Sequence, residues 1–208
     1  MNTYSKFAEL SPTFYADAGL KREQFMDMGI KQMWQGMSRI AGSVCTVSCP
    51  PGDNLMLHAA IYRAEPGSII VVQAGDIKYA LSGGNVCATA QERGIAGFIL
   101  DGVIRDIAEV REAKFPVFAR GISPIPGKKK ALGTLNKPII CGGVGVNPGD
   151  IAIADEEGIA ILPAKQSEEL WLNAKQKAEQ DEALTLKDWQ TNHRNKIEKI
   201  LHDLNFEG

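Results

Sequence analysis

The chain has no long apolar run. Nothing in its 208 residues approaches the roughly 18 consecutive apolar residues that cross a bilayer, so no membrane-spanning helix is expected. Met1 to Leu10 carries no basic segment followed by an apolar core, so no secretory leader is expected and the expected compartment is the cytoplasm. Cysteine is scarce: Cys45, Cys49, Cys87 and Cys141. Only the first two are close, and their C-x-x-x-C spacing lacks a second pair. With His58, His193 and His202 it makes no zinc pattern. Reduced, mostly buried thiols are the expected state. An excess of one charge is also missing. With 23 Lys and Arg against 25 Asp and Glu, the net charge is -2. Such a balance offers neither a nucleic-acid footprint nor a basic membrane patch, so neither partner is expected. No nucleophile elbow, kinase motif set, HExxH or P-loop occurs.

What is present reads as a globular α/β chain, because 44% of residues are hydrophobic and only 23% charged. Residues 1–40 read as helical. Ser11-Pro12 places a hydroxyl at an N-cap and proline at the first helical position, and Gly19 is a natural stop. Gly29 to Met37 suggests a second short turn or helix, with Ile30, Met33 and Trp34 facing the core. Residues 40–164 carry short runs rich in β-branched residues and bounded by Gly or Pro, which favour strands. They are Gly42–Val47, Ser68–Val72, Ala96–Leu100, Pro116–Ala119, Pro138–Cys141, Asp150–Ala154 and Gly158–Pro163. Helices fit between them at Asp53–Arg63, Asn85–Arg93 and Asp106–Lys114, so part of the sheet should be parallel. Pro66-Gly67 and Pro148-Gly149 each feed such a run, a weak internal echo. Residues 165–208 are polar and helical, starting at Ser167 and continuing over Thr185–Leu204, and should pack on the body or on a neighbouring subunit.

Four segments are candidates for chemistry. Asp101-Gly102-Val103-Ile104-Arg105-Asp106 follows an apolar strand, where ligands of parallel sheets gather. Arg can grip an oxyanion with its planar fork, and Asp can hold a hard divalent cation. The bland reading is a surface ion pair and a helix cap. Gly83-Gly84-Asn85 opens a helix whose free N–H groups could bind an anion; its bland reading is a turn with an Asn cap. Cys141 to Asp150 is glycine-rich but fails the dinucleotide fingerprint, since Pro148 forbids an immediate helix, and reads as structural turns. Gly127-Lys128-Lys129-Lys130 reads as a solvated loop.

Taken in order, these stretches resemble the RraA-like family, which contains the class II 4-hydroxy-4-methyl-2-oxoglutarate / 4-carboxy-4-hydroxy-2-oxoadipate aldolases. The likeness runs over roughly residues 10–164, through Pro51-Gly52-Asp53-Asn54-Leu55, Pro66 to Val72, Gly94 to Asp106, Phe115 to Phe118, Cys141-Gly142-Gly143 and Pro148 to Pro163. It implies a swivelling-type β/β/α domain over 1–164, with N-terminal helices and a helical C-terminal tail over 165–208. It implies a homo-oligomer, trimer or hexamer, with sites near subunit interfaces. The implied activity is retro-aldol release of pyruvate from a 4-hydroxy-2-oxo-dicarboxylate, with oxaloacetate decarboxylation beside it. The implied cofactor is Mg²⁺ or Mn²⁺. By the same resemblance Asp106 positions the metal, Arg105 binds the 2-oxo acid substrate and the pyruvate enolate, and Gly83, Gly84 and Asn85 offer amides to its carboxylate. Aldolases of the family carry an acid with twenty residues between it and the Arg; here that position is Gly84. A shorter loop would let Asp76 supply the carboxylate. The alternative implied role is a non-catalytic protein that regulates an RNA-processing endonuclease.

Overall fold

In a computed structural model that describes residues 4–206, a large curved sheet is built outward from one long strand. The expected terminal segments extend to residues 1–3 and 207–208, which lie outside the described residues. The central strand is β2, after the two-residue β1 (Lys31–Gln32) in chain order; it spans Ile40–Cys49. It pairs parallel with β3 (Ile69–Ala74), through Val44 opposite Ile69 to Cys49 opposite Ala74. The sheet continues in parallel through β5 (Gly97–Ile104) to β6 (Val117–Ile122), where β1 closes the edge antiparallel. On its other side β2 pairs antiparallel with β10 (Ile151–Asp155), which pairs with β11 (Gly158–Leu162). Short β4 (Ala80–Ser82) and β7 (Thr134–Leu135) join β5 and β2. The two Pro-Gly turns of the sequence therefore feed the two strands that flank β2, one in each direction.

Alternation along the strands splits the core. Ile70, Val72, Phe98 and Leu100 face the crossover helices α2 (Leu55–Ala60), α3 (Gly84–Glu92) and α4 (Ile107–Glu112). Ile69, Val71, Ile99 and Phe118 face the opposite way, onto a hairpin of β8 (Ile139–Cys141) and β9 (Val144–Val146). The glycine-rich stretch that reads as turns makes this hairpin. Gly142 and Gly143 sit at its tip with φ of 54° and 78°, which side chains resist. A third core joins α1 (Pro12–Asp17) and α5 (Ser167–Glu182) to β10 and β11 through Tyr15, Ile153, Leu162, Ala174 and Ala178. After α5, a capping box of Thr185 and Asp188 starts α6 (Leu186–Asp203), which buries none of its residues.

Two expectations are corrected. Gly29–Met37 is not a helix. Its backbone adds β1 to the sheet edge, while the Trp34 indole donates to the Phe115 carbonyl at 3.1 Å. The strand before Arg105 also does not stop at Leu100. Val103 and Ile104 keep pairing with Gly121 and Ile122, so Asp101 lies within β5. Its carboxylate accepts from Gly142 N–H at 2.8 Å and pairs with Arg120, which also holds Asp27, and so ties the hairpin to the sheet. All four cysteines are free and buried, and burial pushes the Cys45, Cys49 and Cys87 thiols up to about 11. No helix among the described residues is long and apolar enough to cross a membrane.

Candidate active site

Strand β5 ends at Ile104, and the chain must turn at once to start α4. Asp106 makes that turn in the left-handed region, with φ 56° and ψ 40°, a conformation aspartate adopts more readily than most residues. The turn swings its carboxylate back over the start of α3. There it accepts from the Gly84 N–H at 3.2 Å and lies 3.3 Å from Arg105 Nε. Arg105 is held from the backbone, its N–H donating to the Ser82 carbonyl at 3.0 Å. Its side chain stays 42% exposed and lines the cavity beside it.

Gly83 and Gly84 are glycines for space. Gly83 is fully extended, at φ −162° and ψ −171°, a backbone open to any residue. A Cβ there would run into the Asp106 carboxylate and come 3.0 Å from Arg105 Cγ. At Gly84 a Cβ would overlap the carboxylate of Glu109. The two acids, three residues apart on the first turn of α4, thus lie over two adjacent glycines of α3. The first amides of α3 have no partner within their own helix, and Asn85 and Val86 line the cavity at this end.

The cavity holds about 80 Å³. Besides Gly83, Asn85, Arg105 and Asp106, it is lined by Asn54, His58 and Lys129, which sequence reasoning did not assign. Asn54 is 4% exposed and donates its amide to the carbonyls of Ala80 and Leu81, yet its Oδ1 is buried without a partner. That oxygen is an acceptor waiting for a donor. Burial, with the Lys129 charge adding to it, pushes His58 down to about 4, so the imidazole is neutral near pH 7.

The lysine run is not a free loop. Asp53 accepts from the backbone of Lys130 at 2.7 Å and Ala131 at 3.0 Å, and from Leu55 at 2.8 Å. Burial pushes the Asp53 carboxyl up, but these N–H donors outweigh it and hold the group below the usual carboxylate range. The clamp sets Lys129 on the cavity wall.

Asp76 does not reach this site. Its carboxylate accepts from the backbone of Gly52 at 2.6 Å and Lys78 at 2.7 Å, and it lines a separate surface pocket with Tyr79 and Lys128. The carboxylate that covers position 84 is Glu109. The signal for it in the sequence was the three-residue spacing after Asp106 at a helix start. Of the two carboxylates, Asp106 lines the cavity and Glu109 lies behind it against Gly84; a carboxylate is the kind of ligand a hard divalent cation takes. No group of three or more His, Cys, Asp and Glu side chains is placed to hold a metal ion among the described residues. Mg²⁺ is commonly held by only one or two carboxylates, with water and ligand oxygens completing its shell.

Comparison with known proteins places the chain among relatives of one family. Residues 13–161 match the family profile described as RraA-like, Aldolase/RraA. A Halalkalibacterium halodurans protein provisionally named 4-hydroxy-4-methyl-2-oxoglutarate aldolase is 42% identical over 146 residues, 70% of each chain. The Thermus thermophilus protein named 4-hydroxy-4-methyl-2-oxoglutarate aldolase is 33% identical over 133 residues, 64% of this chain and 80% of that one. Among solved structures, an RNA-processing inhibitor RraA from Thermus superposes with a TM-score of 0.62 at 31% identity. It covers 67% of this chain and 84% of that one.

Proposed function

Because this chain belongs to the RraA-like family, we propose that it is a divalent-metal-dependent pyruvate aldolase. Its substrate is a 4-hydroxy-2-oxo-dicarboxylate of the 4-hydroxy-4-methyl-2-oxoglutarate type, and oxaloacetate decarboxylation is a side reaction of the same site. The observation that carries the reading is the Asp106 carboxylate beside Arg105 on the cavity wall, against Gly83, with the Glu109 carboxylate against Gly84. The names of the relatives support the aldolase part of it.

Each residue then has a task. Asp106, with Glu109 behind it, would hold Mg²⁺ or Mn²⁺, which would supply Lewis-acid polarisation of the substrate's 2-oxo group. The amides at the start of α3, at Asn85 and Val86, receive the 1-carboxylate. Arg105 stabilises the negative charge that collects on the 2-oxo oxygen as the C3–C4 bond breaks and the pyruvate enolate forms. The unpartnered Asn54 Oδ1 accepts a hydrogen bond from the 4-hydroxyl and orients it, the 4-hydroxyl proton leaves to water as C3–C4 breaks, and the enolate takes a proton from water at C3 to give pyruvate. Lys129 faces the distal carboxylate, and neutral His58 lets that corner bind without adding a second cation. Decarboxylation of oxaloacetate passes through the same enolate, so it needs the same Arg105.

The test is pyruvate release from 4-hydroxy-4-methyl-2-oxoglutarate and from oxaloacetate, with Mg²⁺ and then with EDTA. Pyruvate that disappears with EDTA, and that Arg105→Ala reduces by about 100-fold or more, is the expected result. No pyruvate from either substrate, or full activity in Arg105→Ala, overturns the reading. A second reading, a regulator of an RNA-processing endonuclease, draws on the likeness to the Thermus inhibitor. Capture of such an endonuclease by a chain that releases no pyruvate would favour it.

A further inference from the structure

Strand β5 changes register on its way to the site. Phe98, Ile99 and Leu100 stand opposite Val117, Phe118 and Ala119 of β6, but Val103 and Ile104 stand opposite Gly121 and Ile122. Asp101 and Gly102 therefore share the place across from one residue, Arg120, which makes a β-bulge. A shift of one residue between strands turns every side chain beyond it to the other face. Arg105 and Asp106 directly follow Ile104, so their aim depends on the bulge being kept. The backbone beyond it is fixed from both sides. Arg105 N–H donates to the Ser82 carbonyl at 3.0 Å, and the Ile104 carbonyl accepts from Ser123 N–H at 2.8 Å. Gly102 is bare where β4 comes close, since a Cβ there would lie 2.8 Å from Leu81 Cδ1 and 2.9 Å from Ala74 Cβ.

Charge holds the bulge. The Asp101 carboxylate pairs with Arg120 Nε, and its other oxygen accepts from Gly142 N–H at 2.8 Å. That amide is a backbone donor which any residue but proline would supply. The far end of the same guanidinium donates through Nη1 and Nη2 to both oxygens of Asp27, at 3.0 and 2.7 Å. Asp27 is fastened in turn, its N–H donating to the Gly142 carbonyl at 2.9 Å and its carboxylate accepting from Gly29 N–H at 2.8 Å. One planar fork thus spans two carboxylates, which the single ammonium of a lysine could not copy in full. Asp27, Asp101 and Arg120 do not themselves line the cavity. We propose that Arg120, with Asp101 and Asp27, is a positioning residue, whose fork locks the β5 bulge in the register that presents Arg105 and Asp106 to the cavity. For its effect on catalysis this rests on the aldolase reading; for the register it does not.

The test compares Arg120→Gln with Arg120→Lys, by amide hydrogen exchange and by the kinetics of pyruvate release. Released from the lock, the end of β5 divides between two registers, of which one is competent. Arg120→Gln is expected to speed exchange at Arg105 and Ser123 about tenfold or more, while the amides between β2 and β3 keep their protection. kcat is expected to fall about tenfold with KM nearly unchanged, because sites in the right register bind as before and the others do not turn over. Arg120→Lys keeps the charge and is expected to recover part of both. Asp27→Asn loosens the fork from its outer end alone and is expected to give the same pattern more weakly; it decides the matter if Arg120→Gln does not fold. Unchanged exchange at Arg105 and Ser123 overturns the proposal. So does protection lost evenly across the sheet, which would make the three side chains a tie of the fold and nothing more. Wild type that releases no pyruvate removes the aldolase reading, and the exchange pattern then decides the register by itself.

Discussion

Two pairs of adjacent glycines divide the labour of this molecule. Gly142 and Gly143 turn a hairpin, and their positive φ angles are the reason they are glycine. Gly83 and Gly84 stand in backbone that any residue could adopt. They are glycine because two carboxylates and an arginine occupy the space a side chain would fill. The first pair serves the fold and the second leaves room for charge. The letters in the sequence are the same, and only the neighbours distinguish them.

The contrast can be broken by substitution. The largest effect is expected at Gly84→Ala. The new Cβ meets the far end of a flexible glutamate, so Glu109 swings away and the fold is spared. Pyruvate release should fall about 10- to 100-fold, the scale on which metal sites lose affinity when their supports move, with the melting temperature almost unchanged. Glu109→Gln should reproduce the loss without the clash. A fall in stability matching the fall in activity would show that Gly84 belongs with the hairpin glycines.

Gly142→Ala should do the reverse. Its φ of 54° disfavours a side chain, and its Cβ would press on Met26 at 2.9 Å and Ile30 at 3.0 Å. A loss of about 2–3 kcal/mol is expected from chemical unfolding, with kcat/KM intact in the folded fraction. Loss of activity without loss of stability would link the hairpin to the site and collapse the distinction.

The smallest effect sharpens the same comparison through pH. His58 titrates at about 4 in the folded cavity against an ordinary value of 6.5. Its folded pKa is depressed, so the unfolded chain binds more protons between these values and stability falls as pH drops through that window. Below about 4 the penalty is complete. His58→Gln should flatten this part of the stability profile, read as urea midpoints at pH 7 and pH 5, while leaving the hairpin's contribution unchanged. Identical profiles for the two proteins would mean that His58 is not held neutral by its burial.

Most of the sheet was legible in the sequence, because β3, β5, β10 and β11 are short runs of β-branched and small residues between Gly and Pro. The helix start at Ser167 was legible as well, since capping is local chemistry, whereas the Thr185–Asp188 cap that starts a separate helix was not read from it. Of the turn or helix expected at Gly29–Met37, turns formed and the helix did not: Ile30, Met33 and Trp34 are spaced as on a helix, but a free sheet edge beside β6 took the backbone of Lys31 and Gln32. At the site, Arg105 and Asp106 could be found because they end a strand and begin a helix. Glu109 was missed because a glutamate in the first turn of a helix is ordinary. Asn54, His58 and Lys129 were missed because they come from separate elements.

By itself, then, the sequence determined the alternation of strands and helices, the free and buried thiols, and the place of Arg105-Asp106 between a strand and a helix. Each depends on periodicity, turn chemistry or composition, which act between near neighbours. Tertiary structure alone decided that the Glu109 carboxylate covers Gly84, that Asp53 clamps the lysine loop against the cavity, and that Asn54 Oδ1 is left without a donor. These depend on which distant backbone fills a given space, and that is set only when the sheet closes over its two faces.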